Sequence, residues 1–387
     1  MYSSKLQRAT FYPFAAFMFL SMVFCGVSRV NLFFHLALIL FLITMAVAKD
    51  VRERFLNDKE FLPALGLLVA FLLYFSLSNL WAETSHLSSA LSHSFYIFIF
   101  FCLYRQCELE NKKRYIIGAA YFGIIALTLL TLIYIDKTRL LFNRLNGAFP
   151  YAPDNVIDLG GYMALGIILS AILVRETRNF WFYLPAPLLL VGLLLTQSRG
   201  PLLALLVSVG LVCCVKPKWN SKLAFMSLAI MLIIGIGLYY SGFFEMILRR
   251  AEDSTRAGSV RLGIWQHAFE VAKERLFFGW GFNKELSFIN GFKQHVTTTH
   301  SLYFGVFLKG GLIGLALFLA MIVYAFRQCL RHLAADHKAE VAVLVFALVF
   351  YSTQGMFVIS NPREYWVLFW IPLAIVFSTP VKNVLQK

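Results

Sequence analysis

Charge is scarce in this chain. Lys, Arg, Asp and Glu together supply 14% of its 387 residues, against 59% hydrophobic types, and a water-soluble domain needs more polar surface than that. Disulfide bonding has little to work with. The six cysteines (Cys25, Cys102, Cys107, Cys213, Cys214 and Cys329) lie in or beside apolar runs, and none falls in the long, mostly polar stretch 242–300. That excludes a disulfide-stapled scaffold. CxxC and HExxH spacings are missing and the eight histidines do not cluster, so no metal site is expected. Walker loops, GxGxxG fingerprints, internal repeats and low-complexity segments are missing too.

What is there is apolar length. Runs near 11–28, 31–48, 61–80, 91–104, 115–135, 156–174, 180–197, 200–215, 222–241, 301–326, 339–359 and 365–379 approach the twenty residues that match a bilayer's hydrocarbon thickness. The expected fold is an all-α polytopic membrane protein of about twelve transmembrane helices. It divides into 1–241 (about nine helices), a loop 242–300, and 301–387 (about three). The first run is followed at once by a second without a small-residue cleavage site, so it is expected to be retained.

Basic residues in short connectors set the orientation. With the N-terminus inside, the inner connectors hold twenty Lys and Arg, and the short outer ones hold six: Arg29, Lys137, Arg139, Arg144, Arg199 and Arg363. Both termini are therefore expected in the cytoplasm, with 242–300, Arg199 and His300 on the outer face. Most of the net charge of +15 follows from this bias and meets anionic lipid headgroups. Nucleic acid is a poor partner for it, because the outer face does not meet any.

Three outer residues invite chemistry. Arg199 sits in Thr196-Gln-Ser-Arg-Gly-Pro201, a tight turn into a helix starting near Pro201. A guanidinium at a helix N-terminus suits a phosphate or pyrophosphate, although an Arg there can also simply snorkel to headgroups. Arg261 lies in the first turn of an amphipathic helix of about eighteen residues, N-capped by Ser259 and stopped by Gly279 and Gly281. A cation is misplaced in a first turn unless an anion shares the site. The helix itself is expected to lie on the membrane surface with Trp265 and Phe269 down. His300 ends the loop at the mouth of the next span, where a neutral imidazole can take a proton from a hydroxyl. Arg363 and Glu364 in the last outer connector, and Arg256 in the loop, are supporting candidates. Glu83, Asp136, Asp154 and Asp158 share this face without spacing that asks for a metal.

The order of these pieces resembles the O-antigen ligase family and its relatives, the O-antigen polymerases and O-oligosaccharyltransferases. Thr-Gln-Ser-Arg-Gly is followed by a long loop with Arg261-x-x-x-Trp265, then Phe277-Phe-Gly-Trp-Gly281, His300-Ser-Leu and Lys309-Gly-Gly-Leu-Ile-Gly314. The resemblance covers about 190–320. It implies a GT-C-like enzyme of the bacterial inner membrane, acting at its periplasmic face as a metal-independent, cofactor-free, inverting glycosyltransferase. The donor would be an undecaprenyl-pyrophosphate-linked glycan and the acceptor a sugar hydroxyl of lipid A–core. Arg199 and Arg261 match the family's arginines and His300 its histidine. Thr298 stands where some ligases carry a second histidine, and near the last outer connector, where some carry an acid, this chain offers Asn361 and Glu364. A polytopic lipid or glycan transporter is the non-enzyme alternative, but transporters often place ionisable residues near mid-membrane, and here charges crowd the span ends, Lys309 being the main exception.

Overall fold

The computed structural model describes residues 2–25, 27–136, 144–145, 147–215, 260–289, 293–355, 357–362 and 366–380. Helices α1 (Tyr2–Val23), α2 (Asn31–Val47), α3 (Lys49–Leu56), α4 (Leu62–Leu77), α5 (Leu87–Leu109) and α6 (Lys113–Tyr134) lead to α7 (Val156–Thr177), α8 (Ala186–Leu195) and α9 (Arg199–Cys214). Helix α10 spans 260–273. Then come α11 (Leu302–Ala334), α12 (Lys338–Ser352), a π-helical turn Trp366–Trp370 and α13 (Ile371–Ser378).

The chain is a multi-pass, predominantly helical membrane protein. Among the described residues, Leu62–Leu80 (α4 extended by a 3₁₀ turn), α5, α6, α7 and α11 are long and apolar enough to cross a membrane. The α2–α3 pair, bent by 96°, adds a sixth if it is one broken span. Phe180–Leu195, Arg199–Cys214 and Trp366–Ser378 are apolar but shorter, and the expected span 222–241 lies outside the described residues. Helix α7 is the most enclosed of the long helices, with 83% of its apolar window buried. Its glycines make this packing close: Gly161 faces Leu368, and Gly166 faces Ile124 and Leu189.

Helix α11 is broken inside. Gly311 has φ 60°, a left-handed value that frees backbone groups of the helix and suits glycine. The segment after α10 crosses this break and pairs the freed groups. Trp280 N donates to Leu308 O (3.0 Å), Gly281 N to Lys309 O (2.9 Å), Leu312 N to Leu276 O (2.8 Å) and Ile313 N to Phe277 O (3.1 Å). Tyr74 Oη from α4 donates to Gly310 O at 2.7 Å. A non-helical stretch at this depth is tolerated because these backbone groups are satisfied within the protein. The two glycine motifs of the sequence, 277–281 and 309–314, are thus one packed unit.

Helix α10 departs from the expected membrane-surface orientation. Its buried stripe is Ile264, Ala268 and Ala272, packed on Phe307 and Leu308 of α11 and on Leu286, while Trp265 stacks on Phe304 with centroids 5.6 Å apart. Half-exposed Phe269 also lies against Phe307. The physical reason is that α11 offers an apolar face beside the loop, so the helix buries its stripe on protein. Two-residue strands, β1 (Phe288–Ile289) and β2 (His295–Val296), form a small antiparallel hairpin beyond it, an addition to the all-helical expectation.

At the opposite end of the bundle, α5, α6, α7, α12 and the residue after α13 meet in a buried ionic cluster. Lys113 Nζ reaches Glu340 (3.0 Å), Glu108 (3.5 Å) and Glu176 (3.5 Å), and donates to Thr379 Oγ1 at 2.9 Å. Arg175 also pairs with Glu340, whose side chain is wholly buried.

Candidate active site

The Arg199 turn is built by its neighbours. Gln197 has φ 52°, which lets the chain reverse within three residues between α8 and α9. Arg144 holds the reversed strand: its Nε donates to Thr196 O (3.1 Å) and its guanidinium to Ser198 Oγ (2.9 Å). Ser198 Oγ in turn lies 3.3 Å from Val156 O at the start of α7. The hydroxyl is therefore turned away from its own helix, and Ser198 makes no side-chain cap for α9. First-turn N–H groups stay without that acceptor, and Arg199 stands exposed beside them. This is an electropositive helix start.

His300 sits at φ 46°, a left-handed value costing a non-glycine residue about 1–2 kcal/mol. Two things hold it. Thr299 Oγ1 donates to Ser301 O at 2.6 Å, and the His300 backbone lies directly on Gly355, where any Cβ would overlap it. Gly355 follows α12, and Thr353, two residues earlier, faces Gly200 of α9. The end of α12 is thus the shared wall between the Arg199 turn and His300. From the other side, α10 brings Arg261 close enough for its charge to act on the imidazole.

The electrostatics follow from this placement. Burial, and then the nearby Arg261 charge, hold His300 below the ordinary imidazole value. Burial also pulls the Arg261 guanidinium down, though guanidinium stays charged at any working pH. His300 is therefore neutral at pH 7 and has a free pair for a proton. A partly buried cation within electrostatic reach of a neutral base suits an anionic substrate whose hydroxyl partner must lose a proton.

Of the other sequence candidates, Arg256, Arg363 and Glu364 lie outside the described residues. Asp158 is buried in the first turn of α7, and its Oδ1 accepts from Gln354 Nε2 at 3.1 Å. Among the described residues no group of three His, Cys, Asp or Glu could hold a metal ion. Lys309 does not reach the Arg199 turn: its ammonium donates to Phe282 O (2.6 Å) and Lys284 O (2.7 Å), fastening the loop to α11. Sequence reasoning missed Arg144 and Gly355. Arg144 was one of several loop cations, and nothing local marks Gly355 as the seat of a histidine 55 positions away.

Residues 184–319, which contain Arg199, Arg261, His300 and both glycine motifs, match the family model described as O-antigen ligase. An O-antigen ligase of Pseudomonas aeruginosa is 27% identical over 346 residues, covering 85% of this chain and 80% of the relative. The exopolysaccharide production protein ExoQ of Rhizobium meliloti is 25% identical over 322 residues, covering 75% and 72%.

Proposed function

We propose that this protein is an O-antigen ligase of the bacterial inner membrane. It transfers a glycan from undecaprenyl pyrophosphate to a sugar hydroxyl of lipid A–core on the periplasmic face. The observation that carries this reading is that a neutral, partly buried His300 lies within electrostatic reach of the partly buried Arg261, with the end of α12 as the wall it shares with the Arg199 turn. His300 takes the acceptor proton as the hydroxyl attacks the anomeric carbon from the face opposite the leaving group, so the configuration inverts. Arg261 and Arg199, with the start of α9, stabilise the pyrophosphate as it leaves, the service a divalent ion gives elsewhere. A positioned base contributes about 10²–10⁴-fold. Arg256, Arg363 and Glu364 remain supporting candidates.

The match of 184–319 to the O-antigen ligase family model supports a lipid-linked glycan donor and a lipid acceptor. The relative named for exopolysaccharide production favours a second reading, in which the acceptor hydroxyl belongs to another glycan unit, as in a polymerase. The buried ionic cluster at the opposite end ties five helix ends together, which supports an enzyme over a transporter that must open there. Lipopolysaccharide from a strain lacking the gene tests these readings on a gel. Loss of all capped species, restored by the parent gene and not by His300→Ala, is the expected result. A ladder reduced to one repeat unit means the polymerase reading, and an unchanged ladder overturns both.

A further inference from the structure

A second feature on the His300 end of the bundle is an open cavity of about 490 Å³, lined by Glu83, Thr84, His86, Asn283, Lys284 and Glu285, with Trp280 at its edge. Its walls come from two segments far apart in sequence, the turn between α4 and α5 and the stretch after α10. They are joined firmly. Asn283 Nδ2 donates to Asn79 Oδ1 (3.0 Å) and to Thr84 O (2.7 Å), His86 N donates to the same Asn79 Oδ1 (3.1 Å), and Lys284 pairs with Glu83 at 3.3 Å. The cavity is therefore a built space between fixed walls, of a size common for small-ligand sites.

Its chemistry differs from that of the arginine site. Carboxylates of Glu83 and Glu285, the Thr84 hydroxyl, the His86 ring and the Asn283 amide offer mixed acceptors and donors, and the acids outnumber the one lysine. Such a lining repels phosphate and suits an uncharged polyol. The Trp280 ring carries Lys284 over it at 4.1 Å and Arg275 at 4.3 Å, so hydrogen bonding rather than stacking would hold the ligand. The carboxylates are not grouped as metal ligands. The cavity also lies within reach of His300. Leu286, next to Glu285, donates its N–H to Thr297 O at 3.0 Å, and the three residues from Thr297 to His300 span at most about 11 Å.

We propose that this cavity is a saccharide subsite, holding a hydroxyl-rich unit of a glycan substrate away from the reacting hydroxyl. The proposal rests on the glycan-transfer reading, but its test separates from it. Saturation-transfer NMR on the purified His300→Ala protein uses two probes: core oligosaccharide freed from lipid A, and O-chain oligosaccharide freed from its lipid carrier. One probe is expected to bind, which identifies acceptor or donor as the source. Glu285→Gln and His86→Ala, each added separately, should weaken that binding about fivefold to tenfold, the cost of one lost hydrogen bond. In the active protein the same changes should raise KM for that substrate more than they lower kcat. Binding of neither probe, or equal binding by both variants and the parent, overturns the subsite. Saccharide binding that these variants weaken, in a protein that never transfers, supports the cavity and removes the catalytic reading alone.

Discussion

At the scale of the residue, the proposed chemistry depends on a histidine kept neutral by its surroundings. Burial and the Arg261 charge both favour the unprotonated imidazole, so the base form persists to a pH below the ordinary histidine value of about 6.5. As pH falls through the shifted value, the imidazole takes a proton and the rate should fall. The acid limb of kcat/KM is expected below 6.5 in the parent and higher in Arg261→Gln, which removes the repelling charge; an unmoved limb would falsify the pairing. Arg199→Lys should lose most of the rate despite keeping charge, because an ammonium cannot reproduce a guanidinium fork on a pyrophosphate. Purified-enzyme kinetics decide it, and recovery of more than about half the parent rate would show that simple charge suffices. Activity should also persist after exhaustive chelation with EDTA, assayed on a metal-free soluble acceptor analogue. A collapse rescued specifically by Mg²⁺ or Mn²⁺ would move the arginines from leaving-group stabilisation to positioning.

At the scale of the element, the broken α11 and the segment 276–281 hold each other. Gly279 (φ 68°) and Gly311 (φ 60°) lie back to back, and a Cβ on Gly279 would come within 2.5 Å of the Lys309 carbonyl group. Gly279→Ala should therefore destabilise the protein by about 2–4 kcal/mol, combining left-handed strain with overpacking. Thermal unfolding in detergent measures this. Hydrogen exchange should show faster opening at Trp280, Gly281, Leu312 and Ile313, whose N–H groups bridge the break. Protection equal to the parent's at those amides would mean that the loop is held elsewhere.

At the scale of the whole molecule, two ends of one bundle are built differently. The end with His300 carries a cavity and exposed cations, and the other is sealed by the Lys113–Glu340–Arg175 cluster. Glu340→Gln leaves Lys113 and Arg175 short of a counter-charge in a buried place, so a loss of about 3–5 kcal/mol is expected. The melting temperature should drop while transfer per folded molecule stays near the parent's. Normal stability of this variant would show that water or other acids screen the cluster.

Much of this was legible in the sequence because it depends on local rules. Apolar runs must be helical in lipid since no water is there to pair their backbone groups, and the turn at Thr196–Pro201 and the helix around Trp265 follow from glycine, proline and periodicity. The order of Arg199, Arg261 and His300 along the chain carried the family resemblance. Distances between them were not in that order. Gly355 seats His300, Arg144 pins the Arg199 turn, and α11 rather than the bilayer receives the stripe of α10, and each is a contact between residues tens of positions apart. The sequence by itself determined that the described apolar runs are helical and which residue types can do chemistry, because those depend on solvation and backbone conformation within a few residues. Only the tertiary structure decided which of them meet, because packing selects partners by shape across the whole chain.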